Sequence, residues 1–207
     1  RQRFEKLYNQ KAIVMPMCVN TKKYKPIASP TRERFLFLGK ISPEKGVDKA
    51  IQYCRELGVP LDVVGGLIPS ELNSPYLQSI INLCDGVGIK FYFNITEEEK
   101  IDFLQNAKAV IYPVQQEEAH WLVGVEAWCC GTQTIVSNNG AMSEICPRDG
   151  VIQGEPDEWF KMLIRMKGEW PDDNEGMVKW ATRYYSRDAV LPKYLDLYER
   201  VANGERW

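Results

Sequence analysis

Long hydrophobic runs are missing from this chain of 207 residues. No stretch of about 18 consecutive apolar residues is available to cross a bilayer as a helix. The first ten residues also lack the apolar centre of a secretory signal peptide. These absences argue against a helical membrane protein and predict a soluble, cytoplasmic one.

An excess of positive charge is missing as well. The 26 lysines and arginines are interleaved with 28 aspartates and glutamates, the formal net charge is -2, and the sequence pI is about 5.6. Because binding to a phosphate backbone depends on positive charge, nucleic acid is not an expected partner.

Metal-binding and disulfide patterns are also scarce. His120 is the single histidine, which excludes a metal site built from several histidines. The only close pair of cysteines is adjacent in sequence, a poor spacing for zinc. We expect reduced, mostly buried thiols of a cytosolic protein. The six cysteines are Cys18, Cys54, Cys84, Cys129, Cys130 and Cys146.

Strand and helix patterns alternate through the middle of the chain. Short apolar runs predict strands at 34–39, 60–65, 89–93, 109–113 and 134–137. Apolar residues at helical spacing predict helices at 47–57, 76–84 and around 122–130, and Thr96 is the predicted cap of another helix. This alternation is typical of a parallel sheet covered on both faces. We therefore predict an α/β fold with a Rossmann-like, doubly wound sheet.

The two flanks, residues 1–30 and the tail from Pro171 onward, lack this alternation. The tail is predicted to form two helices whose apolar residues require a partner surface, either on the same domain or on one outside the chain. In the doubly wound part, ligands lie beyond the carboxyl ends of the strands. The residues that follow each predicted strand are therefore the candidates for a site.

Two lysines flank the turn after the first strand, in residues 39–46 (GKISPEKG). Lys40 and Lys45, together with the free N–H groups at the start of the next helix, suit a diphosphate. Exposed lysines in such a turn are usually only solvated, so the pattern needs support from neighbouring loops.

The loops after the second and third strands are weaker candidates. Gly65 and Gly66 leave the backbone open, either for an unusual turn or for the close approach of a ligand. Residues 91–94, which include Phe93 and Asn94, could meet a nucleotide base, although core packing is the first interpretation of such aromatic residues.

Two carboxylates surround a helix start after the fourth strand. Glu118 and Glu126 are separated by seven residues. If the helix begins near His120, Glu118 precedes it and Glu126 lies in its second turn, with unpaired N–H groups between them. Carboxylates bind sugar hydroxyls, and such N–H groups receive phosphate charge. The alternative is a helix-start carboxylate favoured by the helix dipole, followed by an exposed helix residue.

In combination these motifs resemble the retaining glycosyltransferases of the GT-B architecture, in their C-terminal donor-binding domain. The family's order is followed by GKISPEKG, by the E-x7-E spacing of Glu118 and Glu126 with Ala127 and Gly131 after it, and by residues 140–145 (GAMSEI) and 149–150 (DG). The opening AIVMPMCVNTKKYKP is similar to the family's interdomain linker, and the ending YLDLYERV to its terminal helix.

The resemblance covers essentially the whole chain and implies three parts. Residues 1–30 would be a remnant of the interdomain linker, and 31–170 the nucleotide-sugar-binding domain. Residues 171–207 would be helices that pack on that domain or on a missing N-terminal domain. The missing domain would hold the acceptor, a glycan, lipid or protein, and could bring the protein to a membrane surface.

The resemblance also implies roles. Lys40 and Lys45 would balance the diphosphate, Glu126 would hold the ribose hydroxyls, and Glu118 would position the transferred sugar; Glu118, Lys45 and Lys40 are the catalytic candidates. The substrate would be a nucleoside diphosphate sugar such as a UDP- or GDP-sugar, transferred with retention and without a metal or other cofactor. The candidate donor-binding residues are Gly39, Lys40, Lys45, Gly65, Phe93, Asn94, Glu118, Ala119, His120, Trp121, Leu122, Val123 and Glu126.

The chain departs from the family at two places. Lys40 stands where an arginine is usual, which keeps the charge but loses the bidentate fork. Ala119, His120 and Trp121 replace a Gly-Phe-Gly-like turn, so the bulk of Trp121 is expected to crowd the sugar or reshape its pocket. His120 is expected to be structural, with a proton carrier as the alternative.

Two other functions stay open at this point. One is a non-catalytic nucleotide-sugar-binding or assembly module that has kept the fold. The other is a nucleotide-sugar epimerase of related architecture.

Overall fold

A computed structural model describes residues 2–9, 11–66, 73–146, 151–152, 156–168 and 174–205. Its strands are β1 (Phe35–Lys40), β2 (Leu61–Gly66), β3 (Ile89–Phe93), β4 (Ala109–Tyr112), β5 (Gln133–Ser137) and β6 (Val151–Ile152). Its helices are α1 (Gln2–Tyr8), the short 3-10 helix η1 (Pro43–Lys45), α2 (Val47–Glu56), α3 (Pro75–Leu83), α4 (Glu97–Asn106), α5 (Leu122–Cys129), α6 (Met142–Ile145), α7 (Pro156–Lys167), α8 (Asn174–Tyr185) and α9 (Arg187–Ala202).

All the strands run parallel in one sheet, in the order β3-β2-β1-β4-β5-β6. The central strand β1 pairs with β2 from Phe35 opposite Leu61 to Lys40 opposite Gly66. Its apolar residues are buried because helices surround the sheet. The chain reverses its direction of winding between β1 and β4, which creates a crevice at the carboxyl ends of these strands. The predicted Rossmann-like fold is confirmed.

Local signals explain where several helices begin and end. Thr96 caps α4 in a capping box: its side chain accepts from the Glu99 amide, and the Glu99 carboxylate accepts from the Thr96 amide at 2.7 Å. Gly131 follows α5 with a φ of 72°, a left-handed conformation that suits glycine. The helices predicted at 47–57, 76–84 and 122–130 are present with ends shifted by one residue.

Some elements were missed by the sequence patterns or begin slightly later than predicted. Helix α5 begins at Leu122, close to the predicted start near His120, after a non-helical Trp121, and Glu126 lies in its second turn. Helices α1, α6 and α7 and strand β6 had no prediction. Of these, α7 buries Trp159, Leu163 and Met166 on one face. The DG motif at 149–150 and the tail residues 171–173 lie outside the described residues.

The two tail helices are confirmed as α8 and α9, and α8 packs on the sheet domain itself. Trp180 of α8 meets Trp128 of α5 edge to face, with ring centroids 5.3 Å apart. The amide of Val19 donates to the carbonyl of Tyr185 at 2.8 Å, which attaches the N-terminal flank to the end of α8. Helix α9 keeps an exposed apolar face that includes Leu195 and Tyr198. The division at residues 30 and 170 stays a prediction.

The six cysteines are all unpaired thiols. Four of them, Cys54, Cys129, Cys130 and Cys146, are buried, and burial raises the pKa of Cys129 to about 12. Across the described ranges no helix combines the length and apolar character needed to span a membrane. The cytoplasmic location stays a prediction.

Candidate active site

A cavity of about 580 Å³ lies at the carboxyl ends of β1, β2 and β3. Four of the predicted site residues line it together: Gly39, Lys40, Gly65 and Asn94. Its wall is completed by Leu38, Val64, Gly66, Ile95 and Lys100. Lys40 and Lys100 contribute positive charge beside this largely apolar wall, a combination that suits an anion attached to a flat apolar group.

Asn94 has an unusual backbone at the edge of this cavity. Its φ is 54°, in the left-handed region, where asparagine is one of the few residues other than glycine that occur often. Phe93, just before it, is 54% exposed, so core packing is the wrong interpretation of this ring. The cavity wall does not include Phe93.

Of the two predicted reasons for Gly65, the unusual turn is wrong, and the close approach of a ligand stays a prediction. A Cβ on Gly65 would stand 2.7 Å from Cδ1 of Ile41, and its φ is not positive. Gly65 and Gly66 are the last two residues of strand β2 and do not form a turn. Gly65 is therefore required by the packing of Ile41, while its backbone also lines the cavity.

Lys45 and Glu118 form an ion pair between the loop after β1 and the loop after β4. Both side chains are mostly buried, with 19% and 13% exposed. The same carboxylate oxygen, Oε1, also accepts from the hydroxyl of Tyr112 at 3.3 Å and from the side-chain Nε2 of Gln116 at 3.1 Å. Three donors therefore hold the Glu118 carboxylate in one orientation.

The two loops approach each other closely because Gly46 has no side chain. A Cβ on Gly46 would stand 2.8 Å from the carbonyl carbon of Pro113, and its φ is 71°. The amide of Gln115 donates to the carbonyl of Glu44 at 2.9 Å across the same gap. This contact places Lys45 within reach of Glu118.

A third loop, after β5, supports Glu118 through its backbone. The amide of Ala141 donates to the Glu118 carbonyl at 2.8 Å, and the Asn139 side chain donates to the Val114 carbonyl at 2.6 Å. A Cβ on Gly140 would stand 2.5 Å from the Glu118 nitrogen. The GAMSEI motif thus acts on Glu118, although its residues have no direct role in the predicted site.

Glu126 is the second carboxylate, and its side chain is only 12% exposed. Interpreting it as an exposed helix residue is therefore wrong. Lys100 of α4 donates to Glu126 Oε1 at 3.0 Å and also lines the cavity. Burial and the neighbouring Glu126 and Glu97 carboxylates raise the pKa of the Tyr24 hydroxyl well above its usual range.

The start of α5 lies between the two carboxylates. Its N-cap residue, Trp121, makes no side-chain capping hydrogen bond. The N–H groups of its first turn, which includes Leu122 and Val123, have no acceptor within the helix, and such groups attract anions. Ala119 is exposed, and Leu122 and Val123 are half-buried.

Trp121 does not lie in an open pocket, contrary to expectation. Its side chain is 4% exposed and stacks on Tyr112, with ring centroids 4.7 Å apart and planes 7° apart. Gly124 makes room for it, since a Cβ there would stand 2.6 Å from Cζ3 of the indole. The Trp121 ring is thus a core residue that supports the strand bearing Tyr112.

His120 lies half-buried with its ring 6.2 Å from that of Tyr185. Its Nε2 is buried and has no hydrogen-bond partner among the described residues, and burial lowers the pKa of the imidazole. These surroundings favour the structural interpretation of His120.

Four residues of this arrangement were not predicted as site residues: Lys100, Tyr24, Tyr112 and Gln116. Lys100 looks like an ordinary polar residue in a charged helix start, and Tyr24 belongs to a segment without regular spacing. Tyr112 ends the fourth strand and Gln116 follows in the loop before Glu118. Their closeness to Glu118 in the sequence was the only available signal.

Comparison with known proteins adds an independent observation. The model of the family described as Glycosyl transferases group 1 matches residues 20–155. The MMP alpha-(1->4)-mannosyltransferase of Mycolicibacterium hassiacum is 29% identical over 160 residues, which are 74% of this chain and 39% of that protein.

Solved structures show the same fold. Sucrose-phosphate synthase from Thermosynechococcus elongatus is similar with a TM-score of 0.82 and 19% identity, over 99% of this chain and 57% of that one. Anabaena HepE, in complex with UDP and glucose, is similar with a TM-score of 0.77 and 14% identity, over 90% and 56% of the two chains. This chain therefore covers less than two thirds of each of these proteins.

Proposed function

Because the chain belongs to the glycosyl transferase group 1 family, we propose that it binds the donor of a retaining, metal-independent sugar transfer. The donor is a nucleoside diphosphate sugar, and a domain outside this chain holds the acceptor. Family membership alone does not fix the retaining mechanism, the donor substrate or the binding of donor and acceptor by separate domains.

The observation that carries the proposal is the pairing of Lys45 with Glu118 in the loop that leads into α5, whose N-cap residue Trp121 makes no side-chain capping hydrogen bond. When the bond between the sugar and the diphosphate breaks, negative charge accumulates on the leaving diphosphate. Lys45, Lys40 and the α5 amides are the groups that stabilise this charge, which is the role a metal ion takes in other phosphate chemistry.

The two carboxylates have separate tasks in this proposal. Glu118, held by Lys45, Tyr112 and Gln116, accepts hydrogen bonds from hydroxyls of the transferred sugar. Glu126, whose partner Lys100 lines the cavity, accepts from the ribose hydroxyls. The base then lies against Asn94 and Ile95. No residue is assigned as a nucleophile.

Calorimetric titration of the chain with UDP-, GDP- and ADP-sugars tests the proposal. UDP-glucose is the first ligand to try, since a similar structure binds UDP and glucose. Lys45→Met and Glu126→Gln should each weaken binding roughly tenfold to a hundredfold, as expected for losing a hydrogen bond to a charged group. The matched controls Lys179→Met and Glu175→Gln, an exposed pair on α8, should bind as the unmodified chain does.

Other outcomes favour the other functions. An unmodified chain that binds none of the sugars would contradict the proposal and favour an assembly module. Binding that survives both site substitutions would show that the nucleotide lies elsewhere. Inversion of a sugar carbon in the absence of an acceptor would identify an epimerase.

A further inference from the structure

Lys100 occupies a place between the cavity and the carboxylate of Glu126. Its ammonium donates to Glu126 Oε1 at 3.0 Å, and its side chain lines the cavity that also contains Lys40 and Asn94. It belongs to α4, whereas Glu126 belongs to α5, so the contact joins two helices across the candidate site.

The aromatic ring of Tyr24 completes this arrangement. The Lys100 ammonium lies 5.0 Å from the centroid of the ring, a cation-π distance. The Tyr24 hydroxyl donates to Glu97 Oε1 at 3.3 Å, and Tyr24 is 4% exposed. The ammonium is therefore held on one side by a buried ring and on the other by a carboxylate.

This geometry restricts Glu126. The carboxylate is mostly buried, and one of its two oxygens accepts from Lys100. A carboxylate whose orientation is set by an ammonium can present its remaining lone pairs to a pair of neighbouring hydroxyls without first losing rotamer freedom. A ribose presents such a pair.

We propose that Lys100 is a positioning residue that orients Glu126 toward the ribose hydroxyls of the nucleotide and so makes the site selective for ribonucleotides. The proposal rests on the proposed function, because it assigns a partner to the ribose-binding carboxylate. The alternative is that Lys100 contacts the diphosphate directly. In that case Lys100 would strengthen the binding of ribonucleotides and 2′-deoxyribonucleotides equally.

Calorimetry with UDP and 2′-deoxy-UDP separates these two possibilities; if UDP does not bind, GDP and ADP with their 2′-deoxy forms take its place. The full 207-residue chain should prefer the ribonucleotide roughly tenfold or more, the value of a hydrogen bond to a charged group. Lys100→Met should lose most of that preference by weakening the ribonucleotide selectively. Lys100→Arg, which keeps the charge, should retain a large part of it. Lys40→Met should weaken both nucleotides and keep the preference.

A second comparison covers the case in which Lys100→Met fails to fold, since removing one ion of a buried pair costs more than removing both. Glu126→Gln and the double variant Lys100→Met/Glu126→Gln should show the same, reduced ribose preference. Thermal unfolding of each variant establishes that it is folded before it is titrated.

The outcomes distinguish the two proposals. If the unmodified chain binds none of the nucleotides, the proposed function fails. If it binds but does not prefer ribose, or if Lys100→Met weakens both nucleotides equally, only the role of Lys100 is overturned. A further loss of preference in the double variant relative to Glu126→Gln would also overturn it.

Discussion

Each carboxylate of the candidate site is paired with a lysine from a distant part of the chain. Glu118 pairs with Lys45 and Glu126 with Lys100, and all four side chains are mostly buried. Partly buried ions lose hydration, and pairing with a second ion and with further donors offsets that cost. The charges that serve the ligand are therefore held in place by contacts within the protein.

The pH dependence of stability near neutral pH can be assigned to one side chain, because His120 is the single histidine of the chain. Burial lowers the pKa of His120 in the folded protein, so the unfolded chain binds the proton more readily. Stability should be complete above the ordinary histidine pKa of about 6.5 and should fall as the pH drops below it. His120→Phe should flatten the dependence between pH 7.5 and 5.5.

Urea unfolding of both proteins at several pH values in that range measures the effect. The lower limit of pH 5.5 keeps most carboxylates ionised. A free energy of unfolding that rises on acidification would contradict the prediction. So would a slope that persists unchanged in His120→Phe.

At the scale of elements, the site depends on loops that touch through their backbones. The loop after β1 meets the loop after β4 at Gly46, and the loop after β5 meets the Glu118 backbone at Gly140. Such contacts leave no room for a side chain on either glycine. These contacts, in addition to the strands, position Glu118 and the loop that leads into α5.

Gly140→Ala tests the contact with Glu118. The matched control is Gly86→Ala, because Gly86 has a similar φ of 75° and a Cβ there would have no neighbour within 4 Å. The control should cost about 1–2 kcal/mol of unfolding free energy, the cost of a left-handed alanine. Gly140→Ala should cost roughly 1–3 kcal/mol more, as typical of overpacking.

Equilibrium unfolding in urea gives both values. Equal losses in the two variants would mean that the Gly140 loop moves away from Glu118 without a penalty. In that case the loop after β5 has no part in holding the carboxylate.

For the whole molecule, an aromatic cluster joins the tail to the helix that starts between the carboxylates. Trp128 of α5 meets Trp180 of α8, and Trp180 also lies 5.5 Å from Tyr185 by ring centroids. Tyr185 in turn lies beside His120 and accepts from the Val19 amide through its carbonyl. The tail and the N-terminal flank are thus attached to the same core as the site.

Trp180→Ala should therefore destabilise the whole molecule, with a loss of about 2–4 kcal/mol, somewhat below the value for fully buried aromatic residues because Trp180 is half-buried. Tyr198→Ala on α9 is the control, since Tyr198 is 63% exposed and its replacement should cost less than about 0.5 kcal/mol. The measurement is the urea midpoint of each variant, followed by both tryptophan fluorescence and circular dichroism. Two separate transitions in the unmodified chain would contradict a shared core.

Periodicity was sufficient for strands β1 to β5 and for helices α2, α3 and α5, and the cap at Thr96 predicted α4. Runs such as FLFLG in β1 are apolar because both faces of the sheet are covered, and the Thr96 cap is visible as a threonine three residues before a glutamate. The E-x7-E spacing likewise singled out Glu118 and Glu126 as site candidates. These features depend on neighbours in the chain, so they could be recognised without coordinates.

The sequence by itself therefore determined the parallel α/β architecture, the strand ends where the site lies, and the two carboxylates and two lysines that point to a diphosphate. Only the tertiary structure decided that Glu126 pairs with Lys100 across 26 residues, that the Trp121 ring turns into the core against Tyr112, and that Gly65 makes room for Ile41. The physical reason is that charge pairing and close packing depend on distances between segments far apart in the chain, whereas periodicity and capping depend on residues within a few positions of each other.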